Sequence, residues 1–188
     1  ISELYEPEYL VAVEGGRHEN DALLEQHFDF IFFTGSPTVG HSIMDAAARH
    51  LTPVTLELGG KSPCIVDASA NLRVAARRVA FGKILNAGQT CVAPDYLFIH
   101  HSVKDAFVAE YAKAVKEMLG DEPLKNEEFT HIINKRHFDR LMDLMQDATP
   151  VVGGKGDPST LRIEPTVLDA VTPSSSSMQQ EIFGPVLP

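Results

Sequence analysis

Two residues with chemically active side chains, Glu57 and Cys91, lie in short stretches of small residues. Glu57 belongs to the stretch LELGGKSP, and Cys91 ends the stretch NAGQTC. A thiol can attack an electrophilic carbon to form a covalent acyl intermediate, and a carboxylate can take a proton from the thiol and later from water. The pair is therefore a candidate nucleophile and general base for covalent catalysis.

The surroundings of both residues favour a functional role. Cys91 follows a glycine-containing break after a helical pattern, where backbone N–H groups can approach a bound carbonyl oxygen. Glu57 interrupts an apolar, β-branched run and precedes Gly59 and Gly60. An acid at the end of a strand costs stability unless it is paired or solvated. The second cysteine, Cys64, lies in an apolar stretch and is predicted to be an inert core thiol.

Strand and helix patterns alternate along the chain, which predicts α/β layers around a mainly parallel sheet. Strands are expected at residues 28–34, 65–67 and 96–100, and helices at residues 37–50, 71–85, 103–119 and 135–145. Gly88 is expected to end the second of these helices. The glycine-rich residues 152–158 and the serine run at 174–177 are expected to be loops.

The first predicted helix begins in a way that is typical of an anion site. Gly35 follows a strand, Ser36 is a good N-cap, and Pro37 suits the first helical position. Free N–H groups and the positive end of the helix dipole then face a phosphate. The spacing from Gly35 to Gly40 is not a Walker loop, because His41 stands where that loop needs lysine.

Composition excludes several classes of function. The formal charge of −10 argues against nucleic acid, which requires a clustered basic surface. Two cysteines form no disulfide framework, and no Cys/His spacing is typical of a zinc site, so we expect no metal and a reducing, cytoplasmic location. No apolar run approaches the roughly 18 residues that span a bilayer, and no secretory signal pattern opens the chain. Membrane attachment would need a region absent from this chain.

Four motifs together resemble a known family. FTGSPTVG, LELGGKSP, GQTCVAPDY and EIFGPVLP occur in the order found in aldehyde dehydrogenases. The separation of Glu57 and Cys91 also equals the spacing between general base and nucleophile in that family. The run VAPDY after the cysteine resembles the sequence at this place in the class 3 branch, which includes the fatty aldehyde enzymes. The resemblance extends over essentially the whole chain.

The resemblance implies an aldehyde dehydrogenase-like α/β fold. Residues 1–57 would be the end of a Rossmann-type NAD(P)-binding domain, and residues 58–188 most of the three-layer α/β catalytic domain, truncated at its C-terminal end. Family members are far longer, so we expect an internal fragment of a full-length enzyme. The asparagine of the family's oxyanion hole and the residue that distinguishes NAD from NADP belong to upstream segments, so neither role is assigned here.

The resemblance also implies roles for individual residues. Cys91 would be the nucleophile and Glu57 the general base, with Glu181 bonding the nicotinamide-side ribose and Phe183 packing beside the cofactor. The cofactor, NAD or NADP, would further contact Gly35, Ser36, Gly40, Leu58 and Gly59. Lys61 is expected to order the loop after Glu57. The implied substrate is a medium or long aliphatic, or an aromatic, aldehyde, and the implied assembly is a homodimer.

Two other hypotheses for the function of the chain stay open at this stage. A cysteine-dependent hydrolase would pair Cys91 with a histidine base, but it leaves FTGSPTVG and EIFGPV unexplained. Alternatively, the chain is a truncated domain that folds and self-associates without turnover. Residues 1–57 cannot close a complete dinucleotide-binding sheet, which would leave unpaired strand edges and exposed apolar surface.

Overall fold

A computed structural model describes residues 3–188, which divide into two compact units. The first unit ends at Leu58, and the second runs from Gly59 to Pro188. The helices are α1 (Arg17–Leu24), α2 (Pro37–Ala48), α3 (Leu72–Ile84), α4 (Lys104–Leu119) and α5 (Lys135–Asp143). The strands are β1 (Ile31–Thr34), β2 (Val54–Glu57), β3 (Pro63–Val66), β4 (Tyr96–Ile99), β5 (Thr149–Val152), β6 (Gly156–Asp157), β7 (Arg162–Ile163), β8 (Thr166–Asp169) and β9 (Val186–Leu187). The α/β class predicted from the sequence is confirmed.

The first unit is built around a β1-α2-β2 arrangement. The two strands pair in parallel, with Ile31 opposite Val54 and Thr34 opposite Glu57. Helix α2 buries a face of small and aliphatic residues that includes Ile43. The strand expected at residues 28–34 begins only at Ile31, and the helix expected to reach residue 50 ends at Ala48.

The second unit holds the main hydrophobic core. Helices α3 and α4 pack against one another, and strands β3 and β4 pair in parallel. Asn71 caps α3 by accepting a hydrogen bond from the Val74 N–H at 3.2 Å, as its short polar side chain favours. The core includes Ala76, Val79 and Ala80 from α3, Phe107 and Tyr111 from α4, and Leu141 from α5.

Several predicted boundaries in the second unit were wrong. Helix α3 ends at Ile84, and Gly88 instead ends the turn Leu85–Gly88 that follows it. Helix α5 ends at Asp143, two residues before its predicted end. A short 3-10 helix precedes α4 at His101–Val103, and another occupies Ser176–Met178 in the serine run.

The remaining strands are not purely parallel. Strand β8 lies between β5, which is antiparallel to it, and β9, which is parallel. The glycine-rich residues 152–158, expected to be a loop, contain β6, which pairs with β7 as a two-residue antiparallel ladder. Such short ladders carry no period-2 apolar pattern, which is why the sequence did not indicate it. Within residues 3–188, no helix combines the length and apolar character needed to cross a membrane.

One charged side chain lies inside the core of the second unit. Lys83, on α3, is 1% exposed. Burial lowers its pKa to about 7, against an opposing effect of the Asp95 carboxylate and a reinforcing effect of Lys61. The protein therefore holds an ammonium group that releases its proton near neutral pH.

This buried lysine predicts a specific pH dependence of stability. The unfolded chain keeps the lysine proton to about pH 10.5, whereas the folded chain releases it near 7. Between these values the unfolded state binds more protons, so stability rises with pH by at most about 1.4 kcal/mol per pH unit. From about pH 7 to about pH 9, we expect the free energy of unfolding to rise by about 2 kcal/mol more in the wild type than in Lys83→Met.

Urea unfolding at both pH values measures this difference. Lys113→Met, at an exposed position of the neighbouring helix α4, is the matched control and should keep the wild-type pH slope. Identical slopes in the wild type and Lys83→Met would contradict the prediction.

Candidate functional site

Glu57 lies at the carboxyl edge of the parallel strands of the first unit. It is the last residue of β2, opposite Thr34 at the end of β1, and its side chain is exposed. The Gly35 N–H donates a hydrogen bond to the Glu57 carbonyl at 2.9 Å. Strands β1 and β2 therefore end side by side. Ligands of parallel α/β sheets bind at this edge.

Helix α2 begins at the same edge. Ser36 is its N-cap, with Oγ accepting from the Val39 N–H at 3.4 Å, and Pro37 occupies the first turn. The first N–H groups of a helix have no partner within the helix and, with the helix dipole, attract an anion. The structure thus brings Gly35, Ser36 and Glu57 to one edge of the first unit.

Gly40 lies one turn into α2 and is buried. A Cβ there would meet Leu58 Cδ2 at 2.6 Å, so the absence of a side chain lets Leu58 pack against the helix. This packing role was not indicated by the sequence. Cofactor contacts of Gly40 and Leu58 stay predictions.

Cys91 is exposed and follows an unusual turn in the second unit. Asn86 and Ala87 have left-handed backbone torsions, with φ of 49° and 52°. Asn86 Nδ2 donates to the Gln89 carbonyl at 2.9 Å, and Gln89 Nε2 donates to the Asn86 carbonyl at 3.0 Å. This reciprocal pair closes the turn that leads into the cysteine.

The Gln89 side chain also ties this turn to a distant segment. Its Nε2 donates to the His131 carbonyl at 3.1 Å, and its Oε1 accepts from the Ile133 N–H at 3.0 Å. All the bonds of this amide go to backbone groups, so the segment carrying Cys91 is held at two places. Sequence reasoning missed this role, because no local pattern links Gln89 with residues 131–133.

Gly88 allows a close backbone contact beside the same turn. Its φ is 70°, and a Cβ at this position would lie 2.3 Å from the Gly184 carbonyl oxygen. Any side chain at Gly88 would therefore push the turn away from residues that follow Glu181 and Phe183.

Glu181 lies against the loop that follows β2 along the chain. Its Oε1 accepts from the Gly60 N–H at 3.2 Å. A Cβ at Gly59, whose φ is 76°, would lie 2.6 Å from Glu181 Oε2. Burial raises the pKa of Glu181; the Gly60 N–H opposes this shift and the Asp95 carboxylate adds to it. The structure thus brings Gly59 and Glu181 together, and their cofactor contacts stay predictions.

The backbone around Phe183 is held by an arginine. Arg140 on α5 donates to the Glu181 carbonyl at 3.2 Å and to the Ile182 carbonyl at 2.6 Å. Phe183 itself is partly exposed and has a left-handed φ of 50°. An exposed aromatic ring on a strained residue is available to pack against a ligand.

Lys61 anchors a segment far along the chain. Its Nζ donates to the Ser177 carbonyl at 2.7 Å and the Gln180 carbonyl at 3.1 Å, and it forms an ion pair with Asp95. The sequence predicted only that Lys61 orders its own loop, and these three partners were missed because they lie far away in sequence.

The two cysteines differ in environment. Cys64 is half-buried, and this burial raises the pKa of its thiol. A raised pKa and restricted access both slow reaction of a thiol. Cys91 is exposed. In the part of the chain that the structure describes, no group of three or more His, Cys, Asp or Glu side chains is placed to hold a metal ion.

Comparison with known proteins identifies the family of the chain. Residues 5–188 match the sequence model of the aldehyde dehydrogenase family. The chain belongs to the aldehyde dehydrogenase family. This result confirms the resemblance seen in the four motifs.

Similar family members cover almost all of this aldehyde dehydrogenase chain. The 4,4'-diaponeurosporen-aldehyde dehydrogenase of Staphylococcus aureus is 47% identical over 190 residues, which are 100% of this chain and 41% of that protein. A dimeric, NADP-preferring aldehyde dehydrogenase of Canis lupus familiaris is 49% identical, over 97% of this chain and 41% of its own length. Aldehyde dehydrogenase family 3 member A2 of Macaca fascicularis is 46% identical, over 97% of this chain and 39% of its own length.

These matches confirm the predicted likeness to the class 3 branch, because relatives named as family 3 members are among them. The chain spans about two fifths of the length of the curated relatives it matches.

Solved aldehyde dehydrogenase structures share the fold. A substrate-bound state of Staphylococcus aureus AldH has a TM-score of 0.94 and 46% identity, covering 100% of this chain and 42% of that chain. Betaine aldehyde dehydrogenase of Staphylococcus aureus in complex with NAD+ has a TM-score of 0.74 and 32% identity, covering 85% of this chain and 34% of that chain. The predicted aldehyde dehydrogenase-like fold is thereby confirmed.

The close approach at Gly88 leads to a testable prediction. Gly88→Ala introduces a Cβ at a left-handed position and against the Gly184 carbonyl. We expect it to lower the free energy of unfolding by at least about 2 kcal/mol, because strain and steric overlap add. Gly60→Ala, where nothing lies within 4 Å, is the control and should change stability by less than about 0.5 kcal/mol. Equal urea unfolding midpoints for the two variants would refute the role of this contact.

Proposed function

We propose that this chain forms the catalytic part of an NAD(P)-dependent aldehyde dehydrogenase that oxidises an aldehyde to a carboxylic acid. The observation that carries the proposal is the exposed Cys91 thiol, on a turn held by Gln89, in a chain of the aldehyde dehydrogenase family. A fixed and accessible thiol is what covalent catalysis on a carbonyl carbon requires.

In the first step, the Cys91 thiolate attacks the aldehyde carbon. A carbon–sulfur bond forms, the carbonyl π bond breaks, and the oxygen of the resulting thiohemiacetal takes up negative charge. The Cys91 N–H, which has no backbone acceptor in residues 3–188, is available to donate to that oxygen. Donors already aimed at developing charge stabilise the transition state.

The residues of the chain fit a nicotinamide dinucleotide. The N-terminus of α2 at Ser36 suits a pyrophosphate, and the Glu181 carboxylate can accept hydrogen bonds from ribose hydroxyls. When bound, NAD(P)+ accepts the hydride from the carbon attached to Cys91, which leaves a thioester. Phe183 offers an exposed ring against which such a cofactor can pack.

Glu57 then completes the reaction as general base. It accepts a proton from a water molecule, whose oxygen attacks the thioester carbon; the carbon–sulfur bond breaks, and the carboxylic acid and the free thiol are released. A neutral water nucleophile needs such a base, whereas a coenzyme A thiol needs it less. The exposed position of Glu57 at the end of β2 supports access to water.

We further propose an apolar aldehyde, of medium or long aliphatic or of aromatic type, as the substrate. Support comes from the class 3 likeness and from a relative named 4,4'-diaponeurosporen-aldehyde dehydrogenase. A homodimer is proposed as the assembly, since one relative is named dimeric.

A second candidate, self-association without turnover, is favoured by exposed apolar strand residues. Phe32 on β1 is 65% exposed, and Ile65 and Phe98 on the paired strands β3 and β4 are 74% and 59% exposed. Apolar surface of this kind promotes association. Light scattering after size exclusion, together with dialysis against NAD+ and NADP+, distinguishes the candidates: a large assembly that binds neither nucleotide would favour the second.

The central test is NAD(P)H formation with hexanal by the wild type, Cys91→Ser and Glu57→Gln. We expect Cys91→Ser to abolish formation, because a hydroxyl is a far weaker nucleophile than a thiolate. Glu57→Gln should form at most about one NAD(P)H per chain rapidly and then turn over about 10²–10⁴-fold more slowly, because in the proposed mechanism Glu57 activates the water of the hydrolysis step. The measurement is the absorbance of NAD(P)H over time.

Thiol alkylation is the internal control for this test. Iodoacetamide should label Cys91 faster than Cys64, since only Cys91 is exposed. Equal and slow labelling of both cysteines, or undiminished NAD(P)H formation by Cys91→Ser, would refute Cys91 as the nucleophile.

The Gly59 contact predicts a separate effect on cofactor binding. Gly59→Ala adds a Cβ at a left-handed position, directed at the Glu181 carboxylate. We expect the Kd for NAD(P)+ to rise about tenfold or more, because displacing Glu181 costs on the order of 1–2 kcal/mol. Gly60→Ala keeps its N–H and meets open space, so it should change the Kd by less than about twofold. Equilibrium dialysis with both variants decides; equal Kd values would count against Glu181 as a cofactor contact.

A further inference from the structure

The Asp95 carboxylate is a buried junction between segments that are distant in sequence. Asp95 follows Cys91 in the motif VAPDY and is 3% exposed. Its Oδ1 accepts a hydrogen bond from the Ile182 N–H at 2.8 Å, and its Oδ2 forms the ion pair with Lys61. Its own N–H donates to the Ser62 carbonyl at 2.9 Å. A buried carboxylate is stable only when its oxygens have such partners.

The bond to Ile182 falls at the centre of the candidate cofactor segment. Ile182 is fully buried and stands between Glu181 and Phe183. Its N–H is held by Asp95 and its carbonyl by Arg140, so side chains satisfy both backbone groups, as no strand does here. Hydrogen bonds to ionised groups are stronger than those between neutral groups. The position and direction of the backbone at Ile182 therefore depend on the charged side chains of Asp95 and Arg140.

Lys61 extends the same junction to a third segment. Its ammonium group contacts Asp95 and the carbonyls of Ser177 and Gln180. One carboxylate thus connects the loop at residues 59–62, the segment that carries Cys91, and residues 177–182. The buried amine of Lys83 also senses this junction, because Asp95 raises its pKa and Lys61 lowers it.

We propose that Asp95 is a positioning residue that holds Glu181 and Phe183, through the Ile182 backbone, in the place where they bind the nicotinamide cofactor. Asp95 itself is buried and bonds only protein groups in the described residues, so it acts through the Ile182 backbone. The inference rests on the proposed function, in which Glu181 and Phe183 contact NAD(P). It assigns to this carboxylate control of cofactor affinity, while the reactivity of Cys91 depends on the Gln89 turn.

Asp95→Asn is the direct test. An asparagine keeps the shape, but its NH2 group must face either the Lys61 ammonium or the Ile182 N–H, so one of the two bonds is lost. The Ile182 N–H then either loses its acceptor or bonds a neutral oxygen, which is a weaker acceptor than a carboxylate. We expect amide hydrogen exchange at Ile182 to become about tenfold faster or more, and the Kd for NAD(P)+ to rise about tenfold or more. The rate of Cys91 alkylation by iodoacetamide should stay within about twofold of the wild type.

A double variant separates positioning from stability. Asp95→Asn alone removes the carboxylate that favours the charged form of the buried Lys83 amine, which can destabilise the whole unit. Asp95→Asn combined with Lys83→Met removes this buried amine together with the carboxylate. If the double variant unfolds at the wild-type urea concentration and still shows fast Ile182 exchange and weak NAD(P)+ binding, the inference is supported. If restored stability also restores the Kd and the exchange rate, Asp95 acts through stability alone and the inference is overturned.

Asp169→Asn is the matched control, since Asp169 forms a partly exposed ion pair with Lys104 at 2.8 Å, and neither residue is among the partners of Asp95. It should leave the Ile182 exchange rate and the Kd within about twofold of the wild type. Failure of the proposed function is recognised separately, because the wild type would then bind neither NAD+ nor NADP+. In that case, Ile182 exchange in the double variant decides: fast exchange supports the positioning role, and unchanged exchange overturns it.

Discussion

The second compact unit depends on the burial of one negative charge, the carboxylate of Asp95. Removing a carboxylate from water costs several kcal/mol unless every lone pair finds a donor nearby. Here the donors come from Lys61 and from the Ile182 backbone, which lie far from Asp95 in sequence. The requirement to satisfy this charge therefore fixes segments that neither helix nor strand pairing would hold. An apolar residue of similar size would fill the space but would specify none of these contacts.

Glycines set how closely the same segments approach. Gly88 admits the Gly184 carbonyl, and Gly59 admits the Glu181 carboxylate, at distances where a Cβ would overlap. Both glycines also have positive φ, so replacement by an alanine combines backbone strain with steric overlap. The hydrogen bonds and ion pair of Asp95 hold these segments together, and the absence of a Cβ at Gly59 and Gly88 lets them approach closely. The buried charge and the glycines thus act at different atoms, but both bring residues 181–184 close to the loops at residues 59–62 and 88–95.

Local pattern predicted local structure well in this chain. The N-cap at Ser36 and the strand ends at Thr34 and Glu57 follow from short stretches of sequence. The contacts of Gln89, Lys61 and Arg140 did not, because each joins residues more than thirty positions apart. The packing role of Gly40 was missed for a related reason: Leu58 lies on a different element.

The turn before Cys91 illustrates why the missed contacts matter most. Left-handed torsions at Asn86 and Ala87 are unfavourable for residues with a side chain, most of all for Ala87, which has no polar group to compensate. Such a conformation persists only when neighbouring contacts over-determine it. Gln89 supplies those contacts through its amide, and the burial of Ala87 adds apolar packing. Contacts with residues outside the turn thus stabilise its strained backbone. The turn holds the Cys91 thiol in a defined position and leaves it exposed.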